Sequence, residues 1–177
     1  MAAFGVLAEY ATPADLFRAC ERVREAGYTR WDAHTPFPVH GLDRAMGMRR
    51  SRLPWIILVV GLGGAAGGFV LQWWVHNAAY PLTISGKPHF AWPAYVPITF
   101  ELGVLGGALA AVLGMLGLNQ LPRHHHPLFE VERFSRFSDD RFFISIEASD
   151  PRFDAVATRQ LLERSGAAAV EMVEDPA

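Results

Sequence analysis

The sequence has little cysteine, and the middle of it has almost no charge. Cys20 is the only cysteine in the 177 residues. A single cysteine excludes an intrachain disulfide, a C-x-x-C pair, a C-x-x-C-H haem attachment site and a four-cysteine iron–sulfur or zinc cluster. The net charge of −2 gives no reason to expect a nucleic-acid partner. The N-terminus has no basic region and its apolar run breaks at Glu9, so no signal peptide is predicted.

Two long segments in the middle of the chain are nearly free of charge. Of the 16 basic and 18 acidic residues, only Lys87 and Glu101 lie between the arginine-rich flanks. Residues 53–75 carry no charge, and residues 94–118 carry only Glu101. At ~1.5 Å per residue, each segment is long enough to cross a hydrocarbon core of about 30 Å. We therefore expect two transmembrane helices joined by the short linker 76–93, which together form a membrane hairpin.

Basic residues predict the orientation of this hairpin. Arginines flank both of its ends, whereas the linker holds only Lys87. Because basic residues stay on the cytoplasmic side, both ends should be cytoplasmic and the linker should face the opposite side. The flanking arginines are Arg44, Arg49, Arg50, Arg52, Arg123, Arg133 and Arg136. An interfacial aromatic belt around the linker is predicted from Trp73, Trp74, Tyr80, Trp92 and Tyr95.

Glycines recur at four-residue spacing in both predicted transmembrane helices. Small residues at this spacing let two helix backbones approach closely, which favours helix packing in lipid. They could join the two helices only to each other, or they could also join the hairpin to larger partner subunits. We favour the second interpretation, because a lone hairpin cannot enclose a pore or a cofactor. The candidate packing residues are Gly63, Gly64, Gly67, Gly68, Gly103 and Gly107.

Each end of the chain has the pattern of a β-α-β unit. In the first, the apolar run 4–8 predicts a strand, Thr12 and Pro13 predict a helix start, Gly27 predicts its end, and a second strand covers 29–34. The helix is expected to bury Leu16, Cys20 and Val23. This assigns Cys20 to the core.

The C-terminal end repeats the pattern. Residues 141–148 alternate, which places Phe142, Ile144, Ile146 and Ala148 on one face of a strand. Asp150 is the expected helix N-cap, Pro151 the first helical residue and Gly166 the stop, followed by a strand at 167–174. The expected apolar face of this helix is Phe153, Val156, Ala157 and Leu161.

Two β-α-β units with one-sided helices indicate a ferredoxin-like split β-α-β sandwich. The predicted fold class is an α+β membrane protein, in which a two-helix transmembrane hairpin is inserted between the halves of a cytoplasmic ferredoxin-like domain. This fold does not itself imply an iron–sulfur cluster. The predicted segments are 1–35 (first half), 36–52 (connector with an interfacial segment), 53–75 (first transmembrane helix), 76–93 (periplasmic linker), 94–118 (second transmembrane helix), 119–140 (connector) and 141–177 (second half).

The histidines do not form a complete cofactor site. Neither transmembrane segment contains one, so a membrane b-type haem would lack axial ligands and none is expected in this chain. His34 and His40 lie near the first connector, but no Cys, Asp or Glu spacing completes a metal site. His124, His125 and His126 are adjacent and point in different directions, which favours headgroup or partner contacts over a metal site.

Glu101 is the residue that packing explains least. It is the eighth residue of the segment that begins at Ala94, about 10 Å from the outer end. An unpaired charge there costs about 2.5 kcal/mol or more on insertion scales. If the helix begins at Pro97 instead, the acid lies nearer the positive helix end, where it is favoured. Two interpretations stay open: a hydrogen bond to a partner helix or exposed backbone, and a proton-relay or quinone-pocket role.

Several motifs together resemble one known family. They are "DAHTPFPVHGLDRAMG" (32–47), "RSRLPW" (50–55), "LQWW" (71–74), "GKPHFAWPAYVPITFE" (86–101), "LPRHHHP" (121–127), "RFSDDRFF" (136–143) and "IEASDPRF" (146–153). In this order they are similar to the ActD-type subunit of alternative complex III, a bacterial quinol:electron-acceptor oxidoreductase. The histidine triplet departs from that pattern, which His126 alone fits.

The resemblance implies a subunit of the bacterial inner membrane with two transmembrane helices, a cytoplasmic domain and no redox cofactor. Haem c and iron–sulfur clusters are then expected on partner subunits, and quinol on a large polytopic membrane subunit. The predicted function is a cofactor-free, non-catalytic scaffold that supports quinol oxidation and electron transfer. The alternatives are an active proton-path or quinone-pocket element through Glu101, and a stand-alone membrane adaptor or assembly factor.

Overall fold

The computed structural model describes residues 2–175, which divide into two compact units. The chain leaves the first unit after Arg49 and returns to it at His124, so both ends of the sequence build this unit. We call it the sheet unit. The second unit, Arg50–Arg123, is called the hairpin unit.

The sheet unit contains a four-stranded antiparallel sheet. Its strands are β1 (Ala2–Tyr10), β2 (Trp31–His34), β3 (Phe142–Glu147) and β4 (Ala169–Asp175). They lie in the order β2-β3-β1-β4, and every neighbouring pair is antiparallel. β3 therefore separates the two N-terminal strands, and β1 separates the two C-terminal strands. Neither half can form this sheet alone, so the chain must return from the insertion before the unit is complete.

Helix α1 (Pro13–Glu25) begins and ends where the sequence predicts. The Thr12 hydroxyl oxygen accepts a hydrogen bond from the Asp15 backbone N–H at 3.2 Å. Gly27 has a φ of +82°, a left-handed conformation that commonly ends a helix. The predicted face is confirmed, because Leu16, Cys20 and Val23 are fully buried. Burial raises the pKa of the Cys20 thiol to about 12, so this group stays protonated and serves packing.

Helix α5 (Ala155–Arg164) begins later than the sequence predicts. Its N-cap is Asp154, whose Oδ1 accepts from the backbone N–H groups of Val156 and Ala157 at 3.1 and 2.7 Å. The prediction that Asp150 is the N-cap, with Pro151 in first position, is wrong. The Asp150 carboxylate instead closes a tertiary turn by accepting from the backbone N–H groups of Thr29, Arg30 and Arg152.

The buried face of α5 is rotated by one residue from the predicted face. Thr158 and Leu162 are buried, whereas Val156 is 66% exposed and Ala157 is also exposed. The later start explains part of this difference, because Phe153 lies before the helix and packs on the core from the preceding turn. Phe153 and Leu161 remain partly buried against the core. The helix still ends at the predicted glycine, since Gly166 has a φ of +97°.

Side chains of the sheet form a core on each of its faces. Phe142, Ile144 and Ile146 point to the face covered by α1 and α5, as predicted, but Ala148 lies beyond the end of β3. The same core includes Leu42 from the short helix α2 (Leu42–Met46), so this predicted interfacial segment packs on the sheet unit.

The opposite face of the sheet is covered by the second connector. Leu7, Phe143 and Val173 point to this face. Two 3₁₀ segments, Pro127–Glu130 and Glu132–Ser138, lie over them. They contribute buried side chains from Leu128 and Phe134. The connector is therefore part of the core of the sheet unit.

The hairpin unit consists of two long apolar helices. Helix α3 (Leu53–Trp74) continues into a π-helical turn, Val75–Ala79. Helix α4 (Val96–Leu118) follows a 3₁₀ turn at Trp92–Tyr95. Both continuous stretches, Leu53–Ala79 and Trp92–Leu118, are long and apolar enough to cross a membrane.

The start of α4 differs from the predicted start at Ala94. The α-helical pattern begins at Val96, next to Pro97. Pro97 has no N–H and cannot donate to the carbonyl four residues earlier, so an α-helix cannot extend backwards through it with all of its hydrogen bonds. The preceding residues adopt the tighter 3₁₀ turn instead.

Candidate functional site

The two helices of the hairpin unit contact each other through glycines. A Cβ added at Gly64 would overlap the carbonyl oxygen of Leu102. At Gly68 an added Cβ would lie 2.9 Å from the Leu102 Cδ1, and at Gly103 it would lie 3.2 Å from the Ala65 Cβ. These distances are shorter than ordinary van der Waals contact, so the observed backbone approach depends on the missing side chains.

The other candidate glycines lie in different environments. An added Cβ at Gly107 would make an ordinary contact, 3.7 Å from the Ile57 Cγ2. Gly63 and Gly67 have no atom within 4 Å of an added Cβ, and both are exposed. Each directly precedes a contacting glycine, Gly64 or Gly68, and is turned about 100° away from it around the helix, so both lie on the outer side of α3. The candidate glycines therefore lie on two surfaces, one inside the hairpin and one outside it.

Glu101 lies on the face of α4 that points away from α3. It is the sixth residue of the helix, about 8 Å along the axis from Val96. The next two residues, Leu102 and Gly103, contact α3, which directs Glu101 to the far side. Glu101 is exposed, and within residues 2–175 its carboxylate makes no hydrogen bond and no ion pair. The carboxylate is therefore available to a group outside this chain.

A polar network fixes the linker end of the hairpin. The Gln72 side chain is buried and its Nε2 donates to the carbonyl oxygens of Gly68 and Tyr95 at 3.0 and 3.1 Å. The buried Tyr95 hydroxyl donates to the His89 carbonyl oxygen at 2.8 Å. The His76 ring stacks on Tyr95 with 5.3 Å between ring centroids. Sequence reasoning missed this network; the signal was a glutamine that interrupts an uncharged apolar run.

In the sheet unit, His34 lies inside an aromatic cluster. Its Nε2 is 3.1 Å from the Ser145 hydroxyl oxygen, and its ring meets Phe134 edge-on at 5.0 Å. Burial lowers the pKa of His34; the Asp32 carboxylate opposes this shift and the nearby His126 reinforces it. His34 is therefore neutral at neutral pH and acts as a packed, hydrogen-bonded ring.

The remaining histidines have separate environments. His126 packs edge-on against Phe4 at 5.1 Å, and its Nδ1 accepts from the Leu128 backbone N–H at 3.3 Å. His125 Nδ1 lies 3.8 Å from a Glu130 carboxylate oxygen, whereas His40 and His124 are exposed. Among the described residues, no group of three or more His, Cys, Asp or Glu is placed to hold a metal ion.

A buried carboxylate attaches the second connector to the sheet. The Glu9 side chain on β1 is 5% exposed, and its oxygens lie 3.1 Å from Arg133 Nη1 and 3.4 Å from Arg141 Nε. Arg136 is paired with Asp140, which lowers the pKa of that carboxyl group. Two of the arginines expected at the membrane surface, Arg133 and Arg136, thus make ion pairs within the sheet unit.

Comparison with known proteins assigns the chain to a family. No curated protein matches the sequence. The family description that matches is "Alternative complex III, ActD subunit", and the match covers residues 4–172. It therefore spans both halves of the sheet unit and the whole hairpin unit. The chain belongs to the ActD family, whose members are subunits of the respiratory alternative complex III.

Proposed function

We propose that this subunit is a cofactor-free, non-catalytic scaffold that holds together the membrane part of a quinol:electron-acceptor oxidoreductase. The observation that carries the proposal is the outer surface of the hairpin. Gly63 and Gly67 offer a close approach on α3, and Glu101 offers a carboxylate on α4, with no partner for any of them in the described chain. Small residues and a polar group are the features with which membrane helices bind other helices.

The partners in this proposal are large polytopic membrane subunits, including the one that binds quinol. Haem c and iron–sulfur clusters belong to other subunits of the complex. The chain itself supplies one thiol, and that thiol is buried and protonated. Its histidines are dispersed among packing and surface contacts, which supports a structural role.

The sheet unit is inferred to be a ferredoxin-like split β-α-β domain. The strand order β2-β3-β1-β4, the antiparallel pairing and the placement of α1 and α5 on one face support this assignment. β2 and β3 are neighbours whose ladder ends with the pair His34 and Phe143. In this fold they follow each other in sequence, so the hairpin unit occupies the connection between them.

We infer that the subunit lies in the bacterial inner membrane with both termini in the cytoplasm. Because the hairpin starts and ends in one sheet unit, both of its ends must lie on the same side of the membrane. Arg49, Arg50, Arg52 and Arg123 are exposed and make no ion pair with acidic residues in the described chain, so they are free to act as orienting charges. They support the cytoplasmic side even without Arg133 and Arg136.

Tagged purification tests the scaffold role. Solubilisation in mild detergent through a tag on this chain should recover subunits that carry haem c and iron–sulfur clusters. The double variant Gly63→Leu/Gly67→Leu should reduce this recovery at least tenfold. Gly117→Leu is the matched control, since an added Cβ there also meets no atom within 4 Å. Equal recovery of redox subunits with the unsubstituted chain, the double variant and Gly117→Leu would contradict the scaffold proposal. Purification of this chain without any redox subunit would also contradict it and would indicate a stand-alone adaptor.

A second candidate function is an active proton path or quinone pocket through Glu101. The observation that favours it is the lack of any partner for this carboxylate among residues 2–175. Glu101→Gln separates the roles, because glutamine can still form hydrogen bonds but has no group that ionises near neutral pH. A relay predicts normal complex assembly with lower quinol oxidation or charge translocation. A structural contact predicts normal turnover in the assembled complex, and weaker assembly with Glu101→Leu.

A further inference from the structure

The linker end of the hairpin unit contains a pocket rich in nitrogen-bearing side chains. Its volume is about 240 Å³, and it lies between the π-helical turn and the linker. Its lining includes His76, Lys87 and His89 beside Tyr80 and Tyr95, and no carboxylate is among the lining residues. Donors without a nearby negative charge are suited to an anion.

Lys87 strengthens the case for an anionic ligand. It is the only basic residue, apart from the histidines, between Arg52 and Arg123. It is exposed, and it forms no ion pair among residues 2–175. Its positive charge is therefore available to a ligand.

The rings around the pocket are held in place. The stack of His76 on Tyr95 and the hydrogen bond from the Tyr95 hydroxyl to the His89 carbonyl join the two sides of the pocket. The His89 Nε2 lies 3.3 Å from the Thr83 hydroxyl oxygen. The rings of His76 and Tyr95 and the His89 backbone are thus positioned by contacts within the chain.

An apolar groove begins beside this pocket and runs along both helices. It has a volume of about 640 Å³ and is lined on α3 from Ile57 to Phe69, a length of about 18 Å. Phe69 lines the groove and packs edge-on against Tyr95, which lines the pocket, with 5.6 Å between ring centroids. The polar pocket and the apolar groove are therefore neighbours, separated by this pair of contacting rings.

We propose that pocket and groove together bind one glycerophospholipid. The phosphate contacts Lys87 and His76, and an acyl chain fills the groove. The order of groups along the site, first the cation and then the apolar groove, is the order of phosphate and acyl chain in such a lipid. The aromatic residues around the pocket are those that favour headgroup depth. The proposal depends neither on the scaffold role nor on which side the linker faces.

Photolabelling of the purified complex tests this site. A phospholipid with a diazirine in its acyl chain should label this chain within 57–69 or 92–107. Lys87→Gln should lower the labelling yield per chain about fivefold, the size expected for one lysine near a lipid surface. Lys87→Arg should retain it. Unchanged labelling in Lys87→Gln, or labels only outside these segments, would overturn the proposal.

Independent arms test the chain and the phosphate. Leu62→Trp should fill the groove and reduce labelling, whereas Leu113→Trp should not; the two leucines are 62% and 66% exposed and only Leu62 lines the groove. A photoactivatable diacylglycerol, which lacks the phosphate, should label about fivefold less than the phospholipid. Displacement of the lipid by inorganic phosphate would overturn the proposal, and so would a protein cross-linked at the groove of the native complex.

Discussion

The sheet unit and the hairpin unit differ in how much of their apolar surface is covered by the chain itself. In the sheet unit, both faces of the sheet are covered by segments of the same chain. Its buried carboxylates, Glu9 and Asp150, have partners from distant parts of the sequence. In the hairpin unit, only the side between α3 and α4 is filled, and Gly63 and Glu101 face outwards without partners among the described residues. The first unit is complete in itself, whereas the second is complete only when lipid or another subunit covers it.

The comparison predicts that removal of one phenyl ring affects the two units very differently. Phe143→Ala should destabilise the sheet unit by about 3–5 kcal/mol, because its ring is fully buried under the second connector. Phe100→Ala, at a position 68% exposed on α4, should leave the stability of the sheet unit unchanged. Hydrogen exchange of the β1 amides in the full chain measures the difference. Similar exchange in both variants would contradict the division into a closed and an open unit.

Two neighbouring glycines sharpen the comparison inside the hairpin unit. Gly64→Val should destabilise the hairpin by about 1–3 kcal/mol, because the new side chain would overlap the Leu102 carbonyl. Gly63→Val should leave the hairpin intact, because the added atoms meet open space. Spin labels near the ends of α3 and α4 report the interhelical distance. A larger distance change for Gly63→Val than for Gly64→Val would refute the assignment of inner and outer faces.

Two aspartates test how the sheet unit is closed. Asp150→Ala should cost about 1–3 kcal/mol, since it leaves three backbone N–H groups without their acceptor. Asp154→Ala should cost about 1 kcal/mol through loss of a helix cap, and Asp154→Asn should restore most of it. Amide exchange should accelerate at Thr29 and Arg30 in the first case. In Asp154→Ala, amide exchange should accelerate at the start of α5. Faster exchange at the start of α5 in Asp150→Ala, and at Thr29 and Arg30 in Asp154→Ala, would contradict the capping assignment.

These two aspartates also show where sequence reasoning stops. Local signals located α1 correctly, because Thr12, Pro13 and Gly27 act on groups within one turn of themselves. Asp150 has the same local signal as Asp154, but its carboxylate binds backbone groups about 120 residues away. A local sequence pattern does not show whether an aspartate caps the next helix or binds a distant part of the backbone. The same reason explains why the second connector was predicted only as a link and not as a cover of the sheet.

The sequence was enough to predict which residues belong to the candidate site, but not which way they face. The sequence was sufficient to single out Glu101 and the glycines, because a charge in an apolar run and a four-residue spacing are visible in one dimension. Which glycines face inwards depends on the rotation of α3 against α4. Gly63 and Gly64 are adjacent in sequence, and only the packed hairpin separates their roles.

The smallest predicted effect is a dependence of the sheet unit on pH. The pKa of His34 is lowered below the usual value of about 6.5, so the unfolded chain binds its proton more readily than the folded chain does. Stability should therefore fall as the pH drops below about 6.5, and it should level off below the lowered pKa. His34→Gln should flatten this dependence in unfolding measured between pH 7 and pH 5. A slope that survives the substitution would assign it to other groups.

Photocross-linking from the outer faces of the hairpin tests the central claim most directly. A photoreactive residue at Ala108 lies seven positions after Glu101 on the same face of α4, and one at Val70 lies seven positions after Gly63 on α3; both positions are exposed. In the native complex, we predict adducts between these positions and other protein subunits. Adducts with lipid alone at both positions would contradict the account, because the hairpin would then face only the bilayer.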